Sequence, residues 1–270
     1  MTATIVPPAT TTEAAPVRRT ARPIPLTRLV TVELRKMFTT RSGFWMLMSI
    51  GILSVLATGA VVLWAPAEEQ TYGSFAAAIG IPMSIVLPMI AVLSITSEWS
   101  QRTGLTTFTL VPHRSRVVLA KLVCAISVGV ASIAVALAVG VLGNIVGSAL
   151  AGVDTVWDFS PAEMLYVTGG NVLGILMGFT LGVLTRNSAA AIVGYFVYAM
   201  VLPTISNVLA SAQEWYRDAQ PWVDFQYNQT NLYDGDFTAT EWSQLAVTGA
   251  AWLLLPLAFG LWRVLRSEVK

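Results

Sequence analysis

Six apolar runs, each long enough to cross a bilayer, leave this chain few ways to fold. They extend from about Phe44 to Trp64, Ser74 to Ile95, Val117 to Ala151, Met164 to Leu184, Ala189 to Ala210 and Gln244 to Val264. Crossing the hydrocarbon core takes about 20 residues per helix. In lipid only helices and closed barrels satisfy their own backbone groups, and barrel strands alternate apolar with polar residues. Val117 to Ala151 does not alternate. Charged residues make up 11% of the chain, against about 25% in a soluble domain. The sequence therefore predicts an all-α polytopic membrane protein with six transmembrane helices. The third run fits one long tilted helix, or a span bent near Gly140, Gly143 and Asn144.

The loops assign the sides. With both termini together, the segments on their side hold 15 of the 16 Lys and Arg, and the opposite segments hold only Arg217. Basic residues collect on the cytoplasmic side, so both termini are expected there, in a cell membrane. The outer segments hold 11 of the 15 acids, among them Glu68, Glu69, Asp154, Asp158, Asp224, Asp234 and Asp236. Acids contribute little to orientation.

Residues 1–25, rich in Thr, Ala and Pro, read as a disordered cytoplasmic tail without the apolar core of a signal peptide. Residues 26–270 read as one six-span domain. At its start, Leu26, Leu29, Val30, Leu34, Met37 and Phe38 share a helical face, and Arg28, Arg35 and Lys36 lie off it. That is the pattern of a basic amphipathic helix in the interface, against which lipid is the expected partner. Glu33 falls toward the apolar side and breaks the pattern. Residues 211–241 form the longest outer segment, rich in Trp, Tyr and Asp, and are expected to lie back onto the membrane. The N-Q-T at Asn228 is too short a match to a glycosylation site to carry weight.

Gly170, Gly174, Gly178 and Gly182 form one bare face of the fourth span. Such a face lets another helix backbone come close. Leu at 174 or 178 is expected to push the helices apart, and Ala to be milder than Leu. Asn144, Asn171, Asn187 and Asn207 sit in or near spans, where an amide usually faces the bundle interior. Helix-to-helix hydrogen bonds are the expected role, with Asn144, Asn171 and Asn207 the weaker candidates for a substrate path. Pro82, Pro88, Pro203 and Pro256 lie within spans and permit kinks. Cys124, the single cysteine, reads as a small buried hydrophobe and precludes an intrachain disulfide.

Signatures of chemistry are missing. The chain has no G-x-x-x-x-G-K-[ST] phosphate loop, no H-E-x-x-H and no G-x-S-x-G. Its lone histidine, His113, has no ligand cluster or catalytic partner nearby in the sequence. No catalytic, metal or cofactor residue is expected, and no nucleic acid among the partners. No acid falls clearly at mid-membrane, which argues against a proton-coupled carrier.

One polar stretch stands apart: "SEWSQRTGLTTFTLVPHRSRVVLAK", Ser97 to Lys121, between the second and third spans. Arg102, Arg114, Arg116 and Lys121 could face anionic headgroups or a partner. The stretch resembles the signature region of type-2 ABC transporter permeases, the membrane subunits that pair with separate ATP-hydrolysing subunits. The resemblance rests on Glu98 at the end of the second span, then Gly104, Thr106 and Thr107, then Pro112, Arg116 and Lys121 leading into the third. Gln101 and Arg102 lengthen the spacing from acid to glycine. Upstream, "VELRKMFTTRSGFW" is similar to the family's elbow helix, with Glu33, Arg35, Lys36 and Arg41 matching. Six spans with a short re-entrant segment before the last also match.

The resemblance implies a permease half of an exporter, paired with a second copy or a related permease. It implies a cytoplasmic coupling helix around Glu98 to Pro112, engaged by ATP-binding cassette subunits that carry the ATP and Mg. The scattered Asn, Thr and Met among apolar residues favour an amphipathic or lipid-like substrate entering from the bilayer. A secondary carrier and a non-transport membrane scaffold are the alternatives.

Overall fold

The computed structural model describes residues 24–100 and 114–266, without the side chains of Glu98, Ser100 and Arg114. Those residues are almost entirely helical, and six helices are long and apolar enough to cross a membrane. This is the architecture of an all-α, multi-pass membrane protein. The spans are Arg41–Trp64, Tyr72–Ser100, Arg114–Ala151, Pro161–Thr185, Ser188–Ala212 and Ala239–Arg266. The first 23 residues lie outside the described part. So do residues 101–113, and with them the expected coupling helix.

A helix of 14 residues, Leu26–Thr39, precedes the first span. Thr40 alone joins the two. It closes the first helix through its N–H on the Lys36 carbonyl, and its side-chain oxygen accepts from the Gly43 N–H to start the next. So tight an elbow puts Gly43 against the Met37 backbone, where a Cβ would collide. Leu26, Leu29, Val30, Leu34 and Met37 are half-buried against the first and third spans, as the wheel expects. Phe38 differs, with 60% of its surface exposed.

The third run is one unbroken helix of 38 residues, about 57 Å at 1.5 Å per residue. Gly140 and Gly143 do not interrupt it, and side chains of Tyr72, Phe75 and Thr58 pack where their Cβ atoms would be. The second and fourth spans are the most buried. They meet along Met83, Leu87, Ala91 and Ile95 on one side and Ile175, Phe179 and Val183 on the other. Local signals fix the starts of later spans. Ser160 with Glu163 and Thr238 with Glu241 form capping boxes, and Asn187 caps the fifth span through the Ala190 N–H.

The prolines act in two ways. Pro203 and Pro256 each follow a π turn, Val197–Val201 and Ala250–Leu254. A proline has no N–H for the carbonyl four residues back, and its ring pushes that carbonyl away. Here the turn widens by one residue, so that Leu202 bonds to Val197 and Leu255 to Ala250. Pro88 is met differently: the carbonyl it cannot serve is Ser84, and the Tyr195 hydroxyl of the fifth span donates to it at 2.9 Å. Tyr195→Phe is therefore expected to lower the stability of the detergent-solubilised protein by about 1–3 kcal/mol, the cost of a buried acceptor left unmet. The control is Tyr166→Phe, and equal thermal midpoints for the two variants would refute the expectation.

Candidate functional site

Lys121 lies about two turns into the third span, with only 2% of its surface exposed. Its Nζ donates to Glu33 Oε2 of the elbow helix at 2.7 Å and to the Ser94 carbonyl of the second span at 3.1 Å. Glu33 Oε1 accepts from Lys36 at 2.7 Å. One buried ammonium thus ties three helices at the basic end of the bundle. This explains the acid on the apolar face of the elbow helix: Glu33 turns inward because a cation waits there. Burial pushes the Glu33 carboxyl up, but Lys121 and then Lys36 outweigh it and hold the group below its ordinary value of 4.5. Around this node Cys124 is buried with Sγ 3.4 Å from Met37 Sδ, and Arg116 Nη1 donates to the Ile24 carbonyl at 3.3 Å. Arg35 and Arg41 are exposed. The Glu98 side chain, Arg102, Gly104, Thr106, Thr107 and Pro112 lie outside the described residues.

The glycine face of the fourth span is buried at all four positions, and its neighbours lie within the chain. Gly182 meets Ile95 and Thr96 of the second span, Gly178 the Pro88 backbone, Gly174 the end of Gln229 and Pro88, and Gly170 the ring of Tyr233. Ala, though milder than Leu, is not equally tolerated at 174 and 178. A Cβ at Gly178 would stand 2.5 Å from the Pro88 carbonyl oxygen, which belongs to a backbone and cannot swing aside.

The asparagines are not brought together. Asn144 donates to the Val156 carbonyl at 2.9 Å and holds the following loop. Asn171 bonds within its own helix, to Val167. Asn207 accepts from Gln220. Each is a structural bond.

A cleft of about 740 Å³ opens between the elbow helix, the first span and the third. Leu34, Phe38, Ile52, Val55, Ala131 and Val135 line it, with Ser127 and Ser132 the polar members. Ser132 bonds back to Val128 in its own helix, so the walls make little polar demand.

At the acidic end, residues 214–234 fold inward as two short helices, Glu214–Val223 and Phe225–Asn231, and a single turn, Leu232–Asp234. Polar side chains stitch them to the spans. Gln220 bonds to Ser206 and Asn207, Asn228 to Thr248, and Gln229 to the Gly170 carbonyl and the Tyr198 hydroxyl. Trp252 Nε1 donates to the Val223 carbonyl at 2.8 Å. Trp252 is ten residues from both Trp242 and Trp262, about 15 Å from each. The turn at Val223 and Asp224 therefore packs beside the middle of the last helix, Ala239–Arg266. No periodicity could reveal this placement, because it comes from the fold of the whole segment.

No protein-family profile matches this sequence, and no curated protein matches it. Among the described residues no cluster of His, Cys, Asp and Glu could hold a metal ion.

Proposed function

We propose that this chain is the membrane-spanning subunit of a transporter powered by a separate ATP-hydrolysing subunit, with its basic end in the cytoplasm. The observation that carries the reading is the Lys121 node. The second and third spans lead into and out of residues 101–113, and Lys121 ties both to the elbow helix a few residues from that junction. A force applied to 101–113 would move three helices together. Rigid helices bound in this way convert a local push into rearrangement of a two-state bundle. Glu98, Arg102, Gly104, Thr106, Thr107 and Pro112 would form the docking surface, and ATP and Mg would belong to the partner. The apolar cleft beside the elbow suits an amphipathic or lipid-like cargo arriving sideways. Exposed apolar faces on the first and fifth spans, including Val55, Leu56, Val193 and Val208, offer a second permease its surface.

Asp224 favours a second reading, a carrier coupled to a cation gradient, because it lines a pocket beside the middle of the last helix and such coupling uses an acid packed among the spans. One experiment separates the two. The chain is reconstituted in vesicles with the ATP-binding cassette subunit under test. Under the first reading Gly104→Val and Pro112→Ala weaken stimulation of the ATPase although charge is kept, whereas for a loop that only anchors lipid these variants, like Arg102→Lys and Arg116→Lys, change little. Shape variants that stimulate like wild type would overturn the ATP-driven reading. Uptake driven by an ion gradient without the ATPase, and lost in Asp224→Asn, would establish the carrier.

A further inference from the structure

The two π turns point at the same place. Val197–Val201 contains Tyr198 and Ala250–Leu254 contains Trp252, and both rings line a cavity of about 220 Å³ beneath the inward-folded helices. π turns inside α-helices recur at functional sites, because the extra residue re-aims side chains. Tyr216 and Phe225 add aromatic surface, and Asp224 and Gln226 add polar groups. Phe225 packs on Tyr198 with ring centroids 6.4 Å apart.

The cavity's electrostatics have one sign. Asp224 is the only charged residue lining it among those described. The nearest cation in sequence, Arg217, turns its Nε to the Ala210 carbonyl. Aromatic faces carry negative charge density and attract cations, most strongly those shielded from water. Gln226 brings a buried side-chain oxygen that has no hydrogen-bond partner, so a donor is wanted as well. A cavity of this size holds a small headgroup, since drug-sized ligands take about 300–1,000 Å³.

We infer that the pocket beneath residues 214–234 is a binding site for a small organic ammonium ion bearing a hydrogen-bond donor, held by Asp224, Gln226 and the faces of Tyr198, Tyr216 and Trp252. A choline- or ethanolamine-type group has this chemistry, either free or as the head of a lipid. The site stands whether the chain is driven by ATP or by an ion gradient.

The test is equilibrium binding of tritiated choline to the full chain in detergent. Asp224→Asn keeps the oxygen that accepts from the Tyr227 N–H and starts the following helix, and it removes only the charge. Binding should weaken about tenfold or more, the effect of losing roughly 1.4 kcal/mol. Tyr216→Leu removes a ring without touching Asp224 and should weaken binding as well. The neutral isostere 3,3-dimethyl-1-butanol should fail to compete. Absence of choline binding to the wild type, equal binding to Asp224→Asn, or effective competition by the neutral isostere would each overturn the inference. Nanodiscs distinguish the source. Choline binding reduced in phosphatidylcholine relative to phosphatidylglycerol assigns the pocket to a lipid headgroup, and equal binding in the two assigns it to a free amine.

Discussion

Gly178→Leu is expected to break the seam between the second and fourth spans. The Pro88 carbonyl oxygen stands 2.5 Å from where a Cβ would be, and the Pro88 carbonyl carbon and Cα stand at 3.1 Å. All three are backbone atoms, so the second helix must shift as a body. Even Gly178→Ala should cost about 1–3 kcal/mol, the usual range for overpacking, and Leu more. Gly174→Ala should cost less. Its nearest neighbour, at 3.1 Å, is the amide end of Gln229, a flexible side chain. Gly169, next to the stripe, has no atom within 4 Å of its Cβ position. Gly169→Ala should be neutral, or stabilising by up to about 1 kcal/mol from helix propensity. Thermal midpoints of the four variants in one detergent give the ranking. Gly178→Ala melting with Gly169→Ala would show that the seam is looser than the distances say.

Breaking the Lys121 node should have an effect of similar size. Glu33→Gln takes the carboxylate from an ammonium that is almost wholly buried, and Lys121→Met removes the cation between Glu33 and Ser94. Removing one partner of a buried pair costs about 3–5 kcal/mol, because the survivor keeps its charge without the compensation. The double variant Glu33→Gln/Lys121→Met should recover part of that loss, since an apolar replacement leaves no buried charge behind. Acid gives an independent measure. The folded-state pKa of Glu33 lies below the ordinary 4.5. Its contribution is therefore complete above about pH 4.5 and is lost as the pH falls through the lower folded value. The gap in melting temperature between wild type and Glu33→Gln should narrow in that acid range. A gap that does not narrow at any acid pH where the protein still melts cooperatively would remove Glu33 from the account.

Much of this architecture is local information. Six runs of apolar residues, capping boxes at Ser160 and Thr238, and an Asn cap at Asn187 each act within a few residues, so the sequence alone determines six helices and most of their ends. The amphipathic helix before the first span is legible for the same reason. Gly170, Gly174, Gly178 and Gly182 announce a close contact, because spacing by four puts them on one face. Which helix fills that contact is another matter. The second span fills it at Gly178 and Gly182, and Gln229 and Tyr233 of the inward-folded segment close it at Gly174 and Gly170, which only packing between distant parts of the chain decides.

The same limit applies to the charges. Glu33 looks misplaced in its own helix and is explained by Lys121, 88 residues away. Asp224 reads as a loop acid because it lies among polar residues between two spans. Its level is set by a bond from Trp252 to Val223 and by Gln229 reaching Gly170. The repeated Leu-Pro at 202–203 and 255–256 was visible, but a proline states only that a bond is missing. Whether the helix kinks, widens into a π turn as at these two sites, or borrows a donor as Ser84 does from Tyr195, depends on what the neighbouring helix presents. The helices follow from sequence alone because helix formation in lipid is a local requirement. Tertiary structure placed the buried charges, the glycine seam and the aromatic pocket because each is completed by residues far apart in the chain.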